Sequence, residues 1–183
     1  MDEADDSDHS SETTFLLTQI TNNDTRPIMK FDVSAFTTAD VTAATLSMFC
    51  TNSSGSQTGA YALRRIVRTT WAPTTVDWAN YNGGTWTTAG ANHNGDDHSI
   101  INQIVALLPA NLDGWYDFGD ILDLVEDAIT NRSGILHIYL TLGQDRTTIW
   151  TWASINHATI SGPKLYLTVP SLAGESELLL LEG

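Results

Sequence analysis

The residues best suited to binding chemistry are aromatic side chains between positions 71 and 90. Four of them lie close together: Trp71, Trp78, Tyr81 and Trp86. Proline, asparagine and glycine residues divide this segment, so its rings cannot share one helix face or one long strand, and an ordered connection is predicted. Exposed, coplanar rings would form a glycan-binding platform. Buried rings would instead pack against the body of the domain, which is the commoner use of such side chains.

A second candidate site lies in the polar segment 92–98, Asn-His-Asn-Gly-Asp-Asp-His. The side-chain oxygens of Asn92, Asn94, Asp96 and Asp97 are of the type that surrounds Ca²⁺. The segment does not have the spacing of the twelve-residue calcium loop, so a polar turn is the simpler interpretation. The sequence predicts no cofactor but leaves open a structural Ca²⁺, or a softer metal held by His93 and His98.

No catalytic constellation is visible in the sequence. The chain contains no G-x-S-x-G, phosphate-binding-loop or H-E-x-x-H motif. Its single cysteine, Cys50, cannot form an intrachain disulfide and follows an alternating apolar segment, which predicts a small core residue. The sequence therefore predicts a protein that is not an enzyme.

The net charge of −14 is distributed unevenly. Residues 1–25 carry seven acids and no base, whereas residues 26–170 hold all eight bases. Binding to nucleic acid requires a basic patch and is therefore disfavoured, and no apolar stretch is long enough to span a membrane. This distribution predicts an acidic N-terminal arm at 1–12, one domain at 13–170 and a C-terminal arm at 171–183.

The segments that must position these residues are mostly short and alternating. Strands are predicted at 13–20, 27–33, 41–51, 60–68, 114–118, 135–142, 147–154 and 163–169. Segment 99–108 is apolar and fits either a strand or a helix. Trp150 and Trp152 share one face of their strand and are predicted to lie in the core or an interface.

One helix is predicted at about 120–131, because Ile121, Leu124, Val125 and Ala128 form a single apolar stripe. Many short strands and one helix indicate an all-β fold, specifically a jelly-roll β-sandwich with one short amphipathic helix and extended terminal arms.

Several motifs in this order resemble DNRLRE-type domains. The segments are Arg26–Ser34, Val41–Ser47, Trp71–Asn80, Thr85–Gly90 and Gly162–Val169. That family consists of jelly-roll sandwiches related to a carbohydrate-binding module family, and its members recur in bacterial secreted proteins and in phage structural proteins. The resemblance covers about residues 10–170. It implies the sandwich fold, and it implies that a first strand of the family is missing from this chain, which leaves a sheet edge to be covered.

The C-terminal segment contains four consecutive leucines: Leu178, Leu179, Leu180 and Leu181. They fit a disordered remnant, a fold-back strand or a hook inserted into a neighbouring subunit. Together with the resemblance, the arms favour a non-enzymatic virion structural protein, such as a phage capsid-decoration or tail-associated protein. It would lie on the particle surface and bind other virion proteins or copies of itself through its arms. The alternative is a glycan-binding module that uses the connection at 71–90 to bind cell-surface glycans.

Overall fold

The computed structural model describes residue 12 and residues 14–18, 24–55, 57–68, 70–71, 76, 79–81, 84–143, 148–170 and 176–182. The regular elements within these residues are strands, apart from a single helix. The elements are β1 Thr14–Leu17, β2 Ile28–Asp32, β3 Ala43–Ser54, β4 Gly59–Ile66, β5 Asn80–Tyr81, β6 Gly84–Thr85, β7 His98–Leu108, β8 Gly114–Asp120, α1 Leu122–Asn131, β9 Ile135–Leu142, β10 Ile149–Ala153, β11 Lys164–Pro170 and β12 Ser176–Glu182.

Two antiparallel sheets form the body of the domain. The first contains β1, β10, β3, β11 and β12 in that order, with β8 also paired to β3, and the second has the order β2-β9-β4-β7. Strand β3 is the hub of the six-stranded sheet because different parts of its length pair with β8, β10 and β11. The predicted all-β sandwich is confirmed, and the ambiguous segment 99–108 belongs to a strand.

The core lies between the two sheets and follows the predicted alternation. Met29 and Phe31 of β2 are buried, whereas Lys30 and Asp32 are exposed. Cys50, Trp150 and Trp152 are fully buried, as their positions in the sequence predicted. Burial of large rings such as these contributes several kcal/mol each to stability. The core is therefore formed by the inward-facing set of each strand.

The predicted helix is confirmed as α1, which contacts β9, β3 and β7. Leu124, Val125 and Ala128 are its buried residues and belong to the same core. The chain turns away from α1 at Ser133 and Gly134, which have φ of +55° and +75°, and a Cβ on Gly134 would clash with the backbone of Ser34. A larger residue would be strained by both the backbone angle and the contact.

The C-terminal leucines belong to the chain's own sheet. Strand β12 pairs antiparallel with β11, and Leu179 and Leu181 lie opposite Leu167 and Leu165 and pack against the core. Of the three alternatives for the four leucines, the structure shows the fold-back strand. The sandwich therefore extends beyond the predicted domain boundary at residue 170. Apart from Glu12, the predicted arm at 1–12 lies outside the described residues. No helix among the described residues is long and apolar enough to cross a membrane.

Candidate functional site

The aromatic connection forms a second core on the outer face of the four-stranded sheet. This cluster contains Ile66, Trp71, Val76, Trp86, Ala91 and Tyr139. Alternate residues of β9 pack into it, while Leu136, Ile138 and Leu140 of the same strand pack into the main core. Both faces of β9 are therefore buried, and the connection is the layer that covers the outer one.

The predicted glycan-binding rings are mostly packing residues. Trp71 and Trp86 are each only 4% exposed. Trp71 packs edge-on against His137 at 5.5 Å, and Tyr81 lies 5.1 Å from Trp86. Trp78 lies outside the described residues. A buried ring cannot offer its face to a sugar, so the geometry favours the packing interpretation, and glycan binding by these residues stays a prediction.

Asp97 organises the predicted metal segment from inside. Its carboxylate is fully buried and accepts hydrogen bonds from the backbone N–H groups of Thr87 and Thr88, both at 2.9 Å, and of His93 at 3.2 Å. The Arg68 Nε lies 3.7 Å from the same carboxylate. Asp97 therefore holds two turns of the connection together.

The other three predicted calcium ligands do not converge on Asp97. Asn92, Asn94 and Asp96 are exposed, and Asp96 pairs with His93 at 3.3 Å. Asn94 Oδ1 accepts a weak hydrogen bond from the backbone N–H of Ile100 at 3.4 Å. Within the described part of the chain, no three His, Cys, Asp or Glu residues are grouped so that they could hold a metal ion. A Ca²⁺ site stays a prediction.

A buried polar chain joins the connection to the sheet beneath it. His98 Nδ1 lies 2.9 Å from the Ala91 carbonyl oxygen and must donate to it, which leaves Nε2 to accept from Arg64 Nη1 at 3.4 Å. Burial lowers the pKa of His98, in agreement with this neutral tautomer. Arg26 Nη1 ties the connection to the start of β2 by donating to the Gly90 carbonyl at 2.9 Å. These polar groups stabilise the packing of the connection on the sheet.

The outer face of the six-stranded sheet has the opposite character, since its largest ring is open to solvent. Trp115 of β8 is 44% exposed, and Asp117 lies on the same face. Tyr116 and Phe118 of the same strand point inward and pack together. The sequence predicts only a strand for this segment. The alternation of this strand could have indicated an exposed ring. If Tyr116 and Phe118 face the core, Trp115 must lie on the outer face.

Strand pairing places Trp115 beside a groove along β3. Ser47 of β3 lies in register with Asp117 of β8 on one side and with Lys164 of β11 on the other. The small side chains of Thr45 and Ser47 form the floor, and larger side chains from both neighbouring strands form the walls. The open groove has a volume of about 420 Å³ and is lined by Thr45, Ser47, Trp115, Asp117, Lys164, Tyr166 and Leu178.

Two contacts orient the exposed indole. The Lys164 ammonium lies over the ring, 4.7 Å from its centroid, and Phe49 packs edge-on against it at 5.5 Å. Ser47 is only 3% exposed even though it lies on the outer face. The groove thus presents an indole held by its neighbours, an ammonium with three donors and a carboxylate acceptor.

Comparison with known protein families gives a match over most of the chain. The model of carbohydrate-binding module family 96 matches residues 2–169. No curated protein matches the chain. The matched region ends one residue before the end of β11, so it includes strands of both sheets but not β12.

Proposed function

We propose that this chain, which belongs to carbohydrate-binding module family 96, binds a polysaccharide without cleaving it. The observation that carries the proposal is the exposed Trp115 in the wall of an open groove on the outer face of the six-stranded sheet. An open groove accommodates the interior of a long chain, whereas a closed pocket would hold only a chain end. The proposed ligand is therefore a polymer.

Each part of the groove has a distinct role in this proposal. The indole of Trp115 offers a large apolar surface on which the C–H face of a pyranose ring can stack. The Lys164 ammonium donates to sugar hydroxyls, and the Asp117 carboxylate accepts from them. Because Lys164 lies over the indole in the free protein, it must shift to admit a stacked sugar, and its ammonium then stays at the edge of that sugar.

The groove favours binding over hydrolysis. Glycoside hydrolysis normally needs two carboxyl groups placed on either side of the scissile bond. Among the described residues that line the groove, Asp117 is the one carboxylate. We therefore propose a non-catalytic module. It would keep an attached protein, or a particle that carries it, bound to a polysaccharide.

A role in a virion stays a prediction, as do the finer resemblance to DNRLRE-type domains and a place on a particle surface. One support for the virion hypothesis is that the leucine run could act as a hook on another subunit. That run pairs with β11 of the same chain. We therefore rank carbohydrate binding above attachment to a virion.

The test is affinity gel electrophoresis against plant, algal and bacterial polysaccharides. The panel includes O-acetylated glucomannan, xylan and pectin, each before and after alkaline deacetylation. We expect at least one polymer to retard the chain and Trp115→Ala to abolish the retardation. Ile101→Ala is the matched control, because Ile101 is 67% exposed on the other sheet. Retardation by no polymer, or equal retardation of Trp115→Ala, would refute the proposal.

A further inference from the structure

Strand β12 adds one wall residue that the family match does not include. The matched region ends at residue 169, whereas β12 spans Ser176–Glu182 and pairs with β11 along its whole length. Leu178 of β12 lines the groove together with Trp115 and Lys164. The groove of this chain is therefore wider than residues 2–169 alone would make it.

Two of the four leucines suffice to explain why β12 docks. Leu179 and Leu181 face inward and pack against the core. Leu178 and Leu180 alternate with them on the outer face and are 63% and 45% exposed. Docking of the strand does not require an apolar side chain at these outer positions, and Leu178 is the one that borders the groove.

An aliphatic wall selects for a particular kind of ligand group. Leu178 has no hydrogen-bonding group and no π face, so it stabilises a ligand only by removing apolar carbon from water. Sugar hydroxyls pressed against it would lose water without gaining a partner. An O-acetyl group avoids this loss, because its methyl can lie on Leu178 while its carbonyl accepts from a donor such as the hydroxyl of Tyr166, which lines the same groove.

We infer that β12 forms an acetyl-binding subsite and that the polysaccharide which this chain binds is O-acetylated. The inference rests on the proposed function. Strand β12 lies three strand positions from β8, through β3 and β11. At roughly 4.8 Å per step, the subsite is about 14 Å from the strand that carries Trp115. The acetyl group is therefore on a different sugar unit from the one that stacks on the indole.

The test compares each acetylated polymer with its deacetylated form, using the full chain and two variants. We expect the acetylated form to retard the chain more strongly. Leu178→Ser should weaken binding of the acetylated form about fivefold, which is the loss expected for one or two apolar carbons, and should bind both forms equally. Leu180→Ser is the matched control, since it changes an exposed leucine on the same face of the same strand, and should behave like the unaltered chain.

The outcomes separate this inference from the proposed function. Retardation that depends on Trp115 but is equal for acetylated and deacetylated polymers would refute the subsite and leave polysaccharide binding in place. Equal effects of Leu178→Ser and Leu180→Ser, or strongest binding to a polymer that carries no acetyl groups, would also refute the subsite. Retardation by no polymer at all would refute the proposed function itself.

Discussion

The two outer faces of the sandwich use tryptophan in opposite ways. On the four-stranded sheet, Trp71 and Trp86 lie inside a covering layer that buries the outer face of β9. On the six-stranded sheet, Trp115 stands beside a groove whose floor consists of small polar residues. The segment with the most aromatic residues is thus the packed face, and the isolated tryptophan is on the open one. The local density of rings is a poor guide to binding, whereas the burial of each ring is a good one.

The largest change in stability is expected for a substitution in the packed layer over the four-stranded sheet. Trp86→Ala should lower the free energy of unfolding by roughly 3–5 kcal/mol, because it removes a buried ring and leaves a cavity. Chemical denaturation measures the change. Polysaccharide retardation should persist wherever the variant remains folded. A stability change below about 1 kcal/mol would show that the ring is not packed as the structure has it.

A somewhat smaller effect is expected from the carboxylate that holds the covering layer. Asp97→Asn should lower stability by about 2–3 kcal/mol, since the amide keeps one acceptor oxygen and turns an NH₂ group toward backbone donors. Thermal unfolding measures the change, with the exposed Asp96→Asn as the control. If both variants melt alike, Asp97 does not organise the connection.

The packed face should also be sensitive to acid. Burial lowers the pKa of His137 to about 4, below the ordinary value of 6.5. The unfolded chain therefore binds this proton more readily, so stability is complete above pH 6.5 and is lost as the pH falls toward 4. At pH 5 the loss is on the order of 2 kcal/mol. His137→Phe should reduce the pH dependence of unfolding between pH 6.5 and 4, and an unchanged pH dependence in this variant would contradict the assignment to His137.

The smallest expected change in stability is on the open face. Trp115→Ala should alter the free energy of unfolding by less than about 1 kcal/mol, because nearly half of the ring is already in water. The same variant should lose polysaccharide binding. Denaturation and affinity electrophoresis on one preparation check both halves. A loss as large as that of Trp86→Ala would mean that Trp115 is a packing residue too.

Much of the fold could be predicted because alternation is a local signal. Strand β2 shows it clearly, with Met29 and Phe31 inward and Lys30 and Asp32 outward. Segment 99–108 was ambiguous because its outward positions are apolar as well, and Val105 and Leu107 are exposed. The C-terminal leucines were ambiguous for the same reason. Where both faces of a strand are apolar, the period of two disappears from the sequence.

The candidate site could not be predicted because its members are distant in the sequence. Ser47, Asp117 and Lys164 come together only through the register of β3 with β8 and β11. Nothing local in residues 114–118 shows that small residues lie beside Trp115. In the connection, the residue types were visible but not the layer they form, because the burial of Trp71 depends on the outer face of β9. Strand pairing determines both which residues form the groove and which rings of the connection are buried.

The most direct test of this comparison follows the indole N–H signals of the six tryptophans by NMR. A polysaccharide that retards the chain is titrated into the labelled protein, with each signal assigned by substitution. We expect the Trp115 signal to shift or broaden while those of Trp71 and Trp86 stay in place. Shifts at Trp71, Trp78 or Trp86 with an unchanged Trp115 signal would place the ligand on the aromatic connection and refute binding at the Trp115 groove.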